Sequence, residues 1–560
     1  MSFLLKFSIL STMRLKFIVI APLLFLFIQC QQKPENKVIR DTSITPVNAV
    51  TKLYTDSLDM EKFISSQQLD DSAANRMRNF YNSRNFQFAW FSEKGLAEQT
   101  KVLYDLDKNF RSSNGDSSVT LKNLQTRIDH LLTIDTVIKK ADTSLTLLEF
   151  NLTSHFFSFI TDAYAGKVDP AKLQWYIPRK KIDAVAVLDS LVKNKGNGTN
   201  GNAPLNSYYV TLNKELSHWS AIAKKGSWPD LEFAALQKMK PGDSSAIIST
   251  LKTRLAAFGA LAPTDSSGLY TLAVDTALRL AQQQFGQQVT GKLTASLVKS
   301  LNIPVRKRIE QILINLERMR WVPVMPEGRV ILVNIPEYKL HIFEDRKEVL
   351  NMGIVVGKEA HQTVIFSNTL KNIVFSPYWN VPPSIVKAEI LPAINRNKNY
   401  LAQHQMEIYG KSGGLPLIRQ KPGSTNSLGR VKFLFPNSYN IYLHDTPAKS
   451  LFTEQKRAFS HGCIRLSQPK TLAEYLLEND PSWTKEKITK AMQQSKETWV
   501  QVKQPVPVFI TYFTAWVDKN GLLNFRDDVY GHDSKMAALL FPQTPAARKA
   551  VGADDSKINQ

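Results

Sequence analysis

The chain has 560 residues, of which 43% are hydrophobic, 10% aromatic and 21% charged, which supplies apolar material for several cores and excludes a disordered chain. Its formal charge is +22. That field favours an acidic partner, whether nucleic acid, anionic lipid or an acidic cell-wall polymer, and does not choose among them.

Arg14 and Lys16 precede the apolar run "FIVIAPLLFLFI", Phe17 to Ile28. The run is shorter than the ~20 residues of a spanning helix and has the size of a signal-peptide core. It ends at Cys30, followed by polar "QQKPENK". This resembles a bacterial lipoprotein signal, with an uncleaved anchor as the second reading. Both put residues 1–30 in an export segment, place the chain in the periplasm or cell envelope on a membrane, and argue against nucleic acid as the partner. Residues 31–50 read as a tether. If Cys30 is lipidated, Cys463 is the one remaining thiol of the chain. It is then either buried and inert or reactive.

From 51 to 240 apolar residues recur at helical spacing, as in "SLTLLEFNLTSHFFSFITDAYAG", with Gly166 placed to end that helix. "KNKGNGTNGNAP", Lys193 to Pro204, reads as a surface loop. Residues 245–303 hold three short amphipathic helices, the last two either side of Gly291. "RLAAFG", "AVDTALRLAQQQFG" and "TGKLTASLVKSL" there resemble the small three-helix peptidoglycan-binding domain, with a structural spacer as the alternative. Residues 304–328 contain one connecting helix, Val305 to Trp321, with an apolar stripe and a basic side expected in solvent.

After Gly328 the period changes to alternation. "RVILVNIPEYKLHIFEDRKEVLNMGIVVG", "KNIVFSPYWNVP" and "YNIYLHD" predict antiparallel strands, and "VPVFITYFTAWVDKNGLLNF" a hairpin turning at Asn520-Gly521. Residues 329–535 therefore form a mostly-β domain, and 536–560 a tail. Residues 384–435, polar and basic, interrupt it as an insertion, read as a lid or binding loop with a disordered excursion as the alternative.

Alternation in Tyr439, Ile441 and Leu443 puts His444 at a strand end, nineteen positions before Cys463 in "AFSHGCIRLS". That length lets the chain leave the sheet and return beside His444. A thiol is a poor nucleophile until it loses its proton, and an imidazole can take that proton and return it to a leaving amine. His444 is the candidate base, with Asp445 or its backbone orienting the ring. Gly462 allows close backbone approach, and the amides of Gly462 and Cys463 are candidate donors to an oxyanion. Arg465 grips a carboxylate or braces the loop. His461 donates to a substrate carbonyl or fills structure. Ser467 is a candidate helix cap.

"YLHDTP" followed by "SHGCIRLS" resembles the L,D-transpeptidase catalytic domain. "FYNSRNFQFAWFSEKGL", "SPYWNVPPSI" and "FRDDVYGHD" extend the resemblance to the large multi-domain members of that family, over about residues 55 to 535. The resemblance implies a multi-domain α+β chain: a helical scaffold domain, a three-helix peptidoglycan-binding-like module and a mostly-β catalytic domain whose insertion caps the groove. It implies that Cys463 attacks the third residue of a peptidoglycan tetrapeptide stem and releases D-alanine. A side-chain amine of a second stem then resolves the thioester, giving a 3→3 cross-link. By the same resemblance Ser460, His461 and Gly462 shape the oxyanion site, and Tyr442 and Trp379 line the groove or are core aromatics. No cofactor is implied, and carbapenem β-lactams are expected to acylate the thiol. Three alternatives stay open. One is resolution of the same thioester by water (an L,D-carboxypeptidase) or by a protein amine. His444, Asp445, His461 and Cys463 include zinc-ligand types, but without compact ligand spacing. The last is a non-enzymatic wall-binding scaffold.

Overall fold

The computed structural model describes residues 38–105, 126, 142–178, 182–196, 207–226 and 228–541. The apolar run, Cys30 and most of the C-terminal tail lie outside the described residues. Among those described, no helix is long and apolar enough to cross a membrane.

The first helices, Ser57–Ser66, Asp71–Asn82 and Thr143–Ile160, each start on an aspartate. Asp56, Asp70 and Asp142 accept the amides of Asp59, Ala73 and Leu145, satisfying donors that a helix start leaves open. Between the second and third lies a small hairpin of β1 (Phe91–Ser92) and β2 (Gly95–Leu96). Their shared core is aromatic, with Phe80, Tyr81, Trp90, Phe150, Phe156 and Phe157 buried. At its centre Glu149 accepts hydrogen bonds from the Ala89 amide (2.6 Å), the Trp90 amide (3.0 Å) and the Tyr81 hydroxyl (2.9 Å). The "FYNSRNFQFAW" stretch is thus a packing device that supplies both rings and donors.

The third helix ends as expected at Gly166, after a π-turn over Thr161–Ala165. Gly166 has φ +85°, and a Cβ there would collide with Glu317 and Trp321 of the connecting helix. Beyond it the chain changes partners. Trp175, Ile177, Tyr209, Leu212 and Trp219 join a second, larger core with the three-helix module and the β domain. The helical region expected over 51–240 therefore does not pack around one centre. Its later part, including β3 (Trp175–Tyr176) and the helix Ser207–Lys224, is built onto the β domain.

The three-helix module is Ala246–Ala257, Leu272–Gln284 and Ala295–Leu301. The connecting helix Val305–Trp321 follows. Its charged side is in solvent only in part: Arg306 and Lys307 are exposed, as expected, but Arg308, Glu317 and Arg318 are buried. Arg308 binds the Ser300 carbonyl at 2.8 Å and lies over the Phe525 ring, and the other two charges are paired. Arg318 meets Asp533 at 2.6 Å, Arg320 meets Glu317 at 2.5 Å, and Glu317 accepts the Val168 amide at 2.8 Å.

The β domain comprises β4 (Arg329–Asn334), β5 (Lys339–Glu344), β6 (Lys347–Gly357), β7 (Ile365–Phe375), β8 (Trp379–Asn380), β9 (Met406–Ser412), β10 (Leu415–Gln420), β11 (Val431–Leu434), β12 (Leu443–His444), β13 (Ala458–Ser460), β14 (Ile464–Leu466) and β15 (Thr498–Thr511). The hairpin β16 (Ala515–Val517) and β17 (Leu523–Phe525) follows. The main strands run in the order β11-β12-β14-β6-β5-β4-β15-β7, and β7 pairs again with β11, closing the ring. Alternation sends Leu443, Ile464, Ile354, Leu340, Val333 and Phe433 inward, all fully buried. Their neighbours, including His444 and Arg465, point outward.

The insertion is ordered. Short helices and the sheet β8-β10-β9 enclose a small core of Val381, Val386, Ile390, Met406 and Ile418. It ends earlier than the expected residue 435, because Val431 and Phe433 turn into the barrel and pair with β7 and β12. The predicted final hairpin is split at 512–514, and its turn holds Gly521 at φ +79°. Ser467 does not cap the helix Pro469–Leu477. Its amide binds Gly353 O, and Pro469 starts the helix without a side-chain cap.

Candidate active site

β12 and β14 run parallel, with Leu443 beside Ile464 and His444 beside Arg465. Cys463 directly precedes β14, so sulfur, imidazole and guanidinium rise from one outer face. The chain between His444 and Cys463 leaves the sheet, turns through Lys449–Thr453 and returns along β13, which pairs with β6.

His444 is buried, and its Nδ1 meets the Asp445 carbonyl at 2.5 Å. A neutral ring donates there, and the Leu428 backbone also lies within hydrogen-bond reach of the imidazole. Burial, and then the Arg465 guanidinium, push the imidazole down to about 3, so the resting ring is neutral. The backbone of Asp445 orients the ring; its carboxylate does other work. It accepts from the Arg430 amide (2.8 Å), the Thr446 amide (2.7 Å) and Lys449 Nζ (2.6 Å), fastening the end of the insertion to the histidine strand.

Cys463 is a free thiol and half-buried. It donates to the Asn440 carbonyl at 3.4 Å rather than to His444. Burial pushes the thiol up, against the lowering pull of Tyr442 and Arg465. The resting pair is thus thiol and neutral imidazole, not thiolate and imidazolium. Tyr442 lies against the sulfur, with its ring 5.6 Å from that of His444.

The turn before the sulfur is locked from both sides. Ser460 Oγ donates to the Cys463 carbonyl at 2.6 Å and accepts the Gly462 amide at 3.1 Å. Gly462 has φ +112°, a conformation that glycine adopts without strain. Its carbonyl accepts from Thr363 Oγ1 at 2.8 Å, and that same oxygen accepts the Gly357 amide at 3.0 Å. The Tyr530 hydroxyl donates to Gly357 O at 2.6 Å. With the Gly462 amide engaged, the Cys463 amide has no acceptor among the described residues.

Other expected residues fall elsewhere. His461 is exposed and faces the insertion, with Nε2 3.3 Å from Glu389 Oε1 and its ring 5.0 Å from that of His361. Trp379 packs on the small core of the insertion. Sequence reasoning missed Thr363 and Tyr530. The motif "FRDDVYGHD" marked Tyr530 without giving it a task.

Residues 328–502 match the family model described as the L,D-transpeptidase catalytic domain. The chain carries an L,D-transpeptidase catalytic domain. Residues 75–216 match the "Scaffold domain" and 244–301 the "Putative peptidoglycan binding domain". A curated Haemophilus influenzae protein described as "Putative L,D-transpeptidase" is 31% identical over 243 residues, 40% of this chain and 49% of that protein. The chain thus spans about half the length of that relative. Among solved structures, an L,D-transpeptidase from Mycobacterium smegmatis is 14% identical, over 34% of this chain and 60% of that chain, with a TM-score of 0.19. L,D-transpeptidase 3 from Mycobacterium tuberculosis, in complex with a faropenem-derived adduct, is 15% identical, over 34% of this chain and 62% of that chain, with a TM-score of 0.18. Likeness at that level is too slight to bear on activity. The transpeptidase domain, the scaffold domain and the peptidoglycan-binding module together make a multi-domain α+β chain, as the sequence implied.

Proposed function

We propose that this protein is an L,D-transpeptidase that forms 3→3 peptidoglycan cross-links through a Cys463 thioester. The observation that carries the reading is the neutral His444, oriented by Asp445 O, on the same outer face as a half-buried free thiol.

Cys463 swings from Asn440 O toward the imidazole as substrate fills the groove. Sγ gives its proton to His444 Nε2 and attacks the carbonyl of the third stem residue. The Cys463 amide donates to the oxyanion as it forms. When the C–N bond breaks, His444 returns the proton to the amine of the departing D-alanine. A side-chain amine of a second stem then attacks the thioester and loses its proton to His444, which passes it to the departing sulfur. The amide cross-link is formed and the thiol restored. Because the resting thiol is protonated, proton transfer accompanies attack instead of preceding it. Arg465 favours this route on the sulfur side and opposes it on the imidazole side.

The peptidoglycan-related domains support a place in the cell envelope. We assign the export segment, with Cys30 as a lipid anchor, to hold the protein on a membrane there. Carbapenem β-lactams would acylate Cys463 by the same attack.

Mass spectrometry of products from purified protein and a disaccharide-tetrapeptide tests the assignment. A cross-linked dimer lighter by one alanine supports it, with loss of product in Cys463→Ala. Tripeptide alone, with acceptor present, would make the protein a carboxypeptidase. Turnover by Cys463→Ala would remove the mechanism altogether.

A further inference from the structure

The barrel register lines up one row of outward side chains. Val355 of β6 pairs with Arg465, Arg465 with His444, His444 with Lys432 of β11, Lys432 with Val374 of β7, and Val374 with Trp499 of β15. Directly paired residues project to the same face of a sheet. The alternate positions Ile464, Leu443, Phe433 and Ile373 belong to the barrel core, whereas Val355 and Val374 are buried outside it, so the row lies on the outer face and is partly covered by protein.

His444 therefore stands between two cations. Neither has a carboxylate in contact among the described residues. Arg465 Nε is buried without a hydrogen-bond partner, and Cys463 is the group acting to sustain its charge. Lys432 is half-buried, and burial pushes it down. Its Nζ makes no ion pair among the described residues and sits 5.6 Å from the centre of the Trp499 ring. The acid acting on it, Glu497, is occupied by Trp499 Nε1 at 3.1 Å and the Tyr378 amide at 3.5 Å. Trp499 is 56% exposed, unusual for so large a ring.

A partly desolvated cation with no counter-charge is costly unless a ligand supplies one. We propose that Lys432 and Trp499 form a carboxylate-binding subsite, in which Lys432 pairs with an acidic group of the peptide substrate and Trp499 packs against its chain. Trp499 is three strand spacings from the strand of His444, about 14 Å. That matches about four residues of extended peptide. Lys432 is one strand spacing from His444, about 5 Å, with its Nζ toward Trp499, so its carboxylate sits between the scissile bond and the end of the peptide on Trp499, while Arg465 lies nearer the sulfur. The identity of the peptide rests on the transpeptidase reading; the preference for an acidic peptide does not.

The test measures binding by calorimetry to full-length protein carrying Cys463→Ala, which cannot turn over. The probes are a disaccharide-tetrapeptide with free carboxylates and its fully amidated analogue. Adding Lys432→Gln should weaken the acidic probe at least fivefold and leave the amidated one unchanged. Lys432→Arg should restore most of the loss. Trp499→Ala, at an exposed site that folding does not need, should weaken both probes. Equal loss for both probes in Lys432→Gln, or no measurable binding of the acidic probe before substitution, overturns the subsite. Since no readout uses turnover, an inactive enzyme with intact binding would count against the transpeptidase reading alone.

Discussion

Replacing Thr363 by valine keeps the shape of the side chain and removes one oxygen. That oxygen both accepts the Gly357 amide (3.0 Å) and donates to the Gly462 carbonyl (2.8 Å), and Thr363 is 1% exposed, so water cannot substitute for it. Each stranded buried group costs about 1–3 kcal/mol, so a rigid Thr363→Val protein loses roughly 2–6 kcal/mol. The cheaper response is for the Ser460–Cys463 turn to shift until Gly462 O reaches another donor. That shift moves the sulfur, and a misplacement near 1 Å costs on the order of 100-fold in rate. We expect a lower melting temperature and carbapenem acylation of Cys463, followed by intact mass, slowed about 100-fold. Thr363→Ser keeps the hydroxyl and should stay near the parent rate. A valine variant with unchanged melting temperature and an acylation rate within fivefold of parent would refute the claim that this oxygen positions the nucleophile.

The raised thiol predicts that alkylation of Cys463 by iodoacetamide still climbs between pH 8 and pH 9, because burial disfavours the thiolate. A flat rate down to pH 6 would reveal a preformed thiolate–imidazolium pair instead. In the N-terminal domain, Glu149→Leu strands the Ala89 and Trp90 amides, for a loss of about 2–6 kcal/mol, readable as earlier proteolysis or melting. Unchanged melting would show that the carboxylate is dispensable there.

The proposed nucleophile and base were readable because their signals are local. A cysteine after a small turn, and a histidine closing an alternating run, can be recognised without knowing what pairs with what. The helix stop at Gly166 was legible for the same reason. The row Arg465–His444–Lys432–Trp499 was not, since it exists only once four separate strands have taken their register and the barrel has closed through β7 and β11. A one-residue slip in any of them would turn its own member of the row, such as Lys432 of β11, into the core. The buried charges of the connecting helix were misread for a related reason. Periodicity shows where one apolar stripe lies and is silent on whether the opposite side also meets protein, as Arg318 and Glu317 do.

The C-terminal motif shows how these long-range contacts reach the site. Asp528 accepts from the Tyr512 hydroxyl at 2.6 Å, and that hydroxyl accepts the Tyr530 amide at 2.8 Å. The Tyr530 hydroxyl holds Gly357 O, and Gly357 meets Gly462 through Thr363. On the other side Asp533 pairs with Arg318 of the connecting helix and accepts from Thr514 Oγ1 at 2.7 Å. The turn that carries the sulfur is therefore braced by residues some seventy positions later, which are in turn braced by a helix from outside the barrel. Such an arrangement supplies the rigidity that a nucleophile on a glycine turn lacks on its own. It also makes the connecting helix part of the catalytic domain in the physical sense, because removing Arg318 would leave Asp533 and the Tyr512–Tyr530 pair without the charge that anchors them.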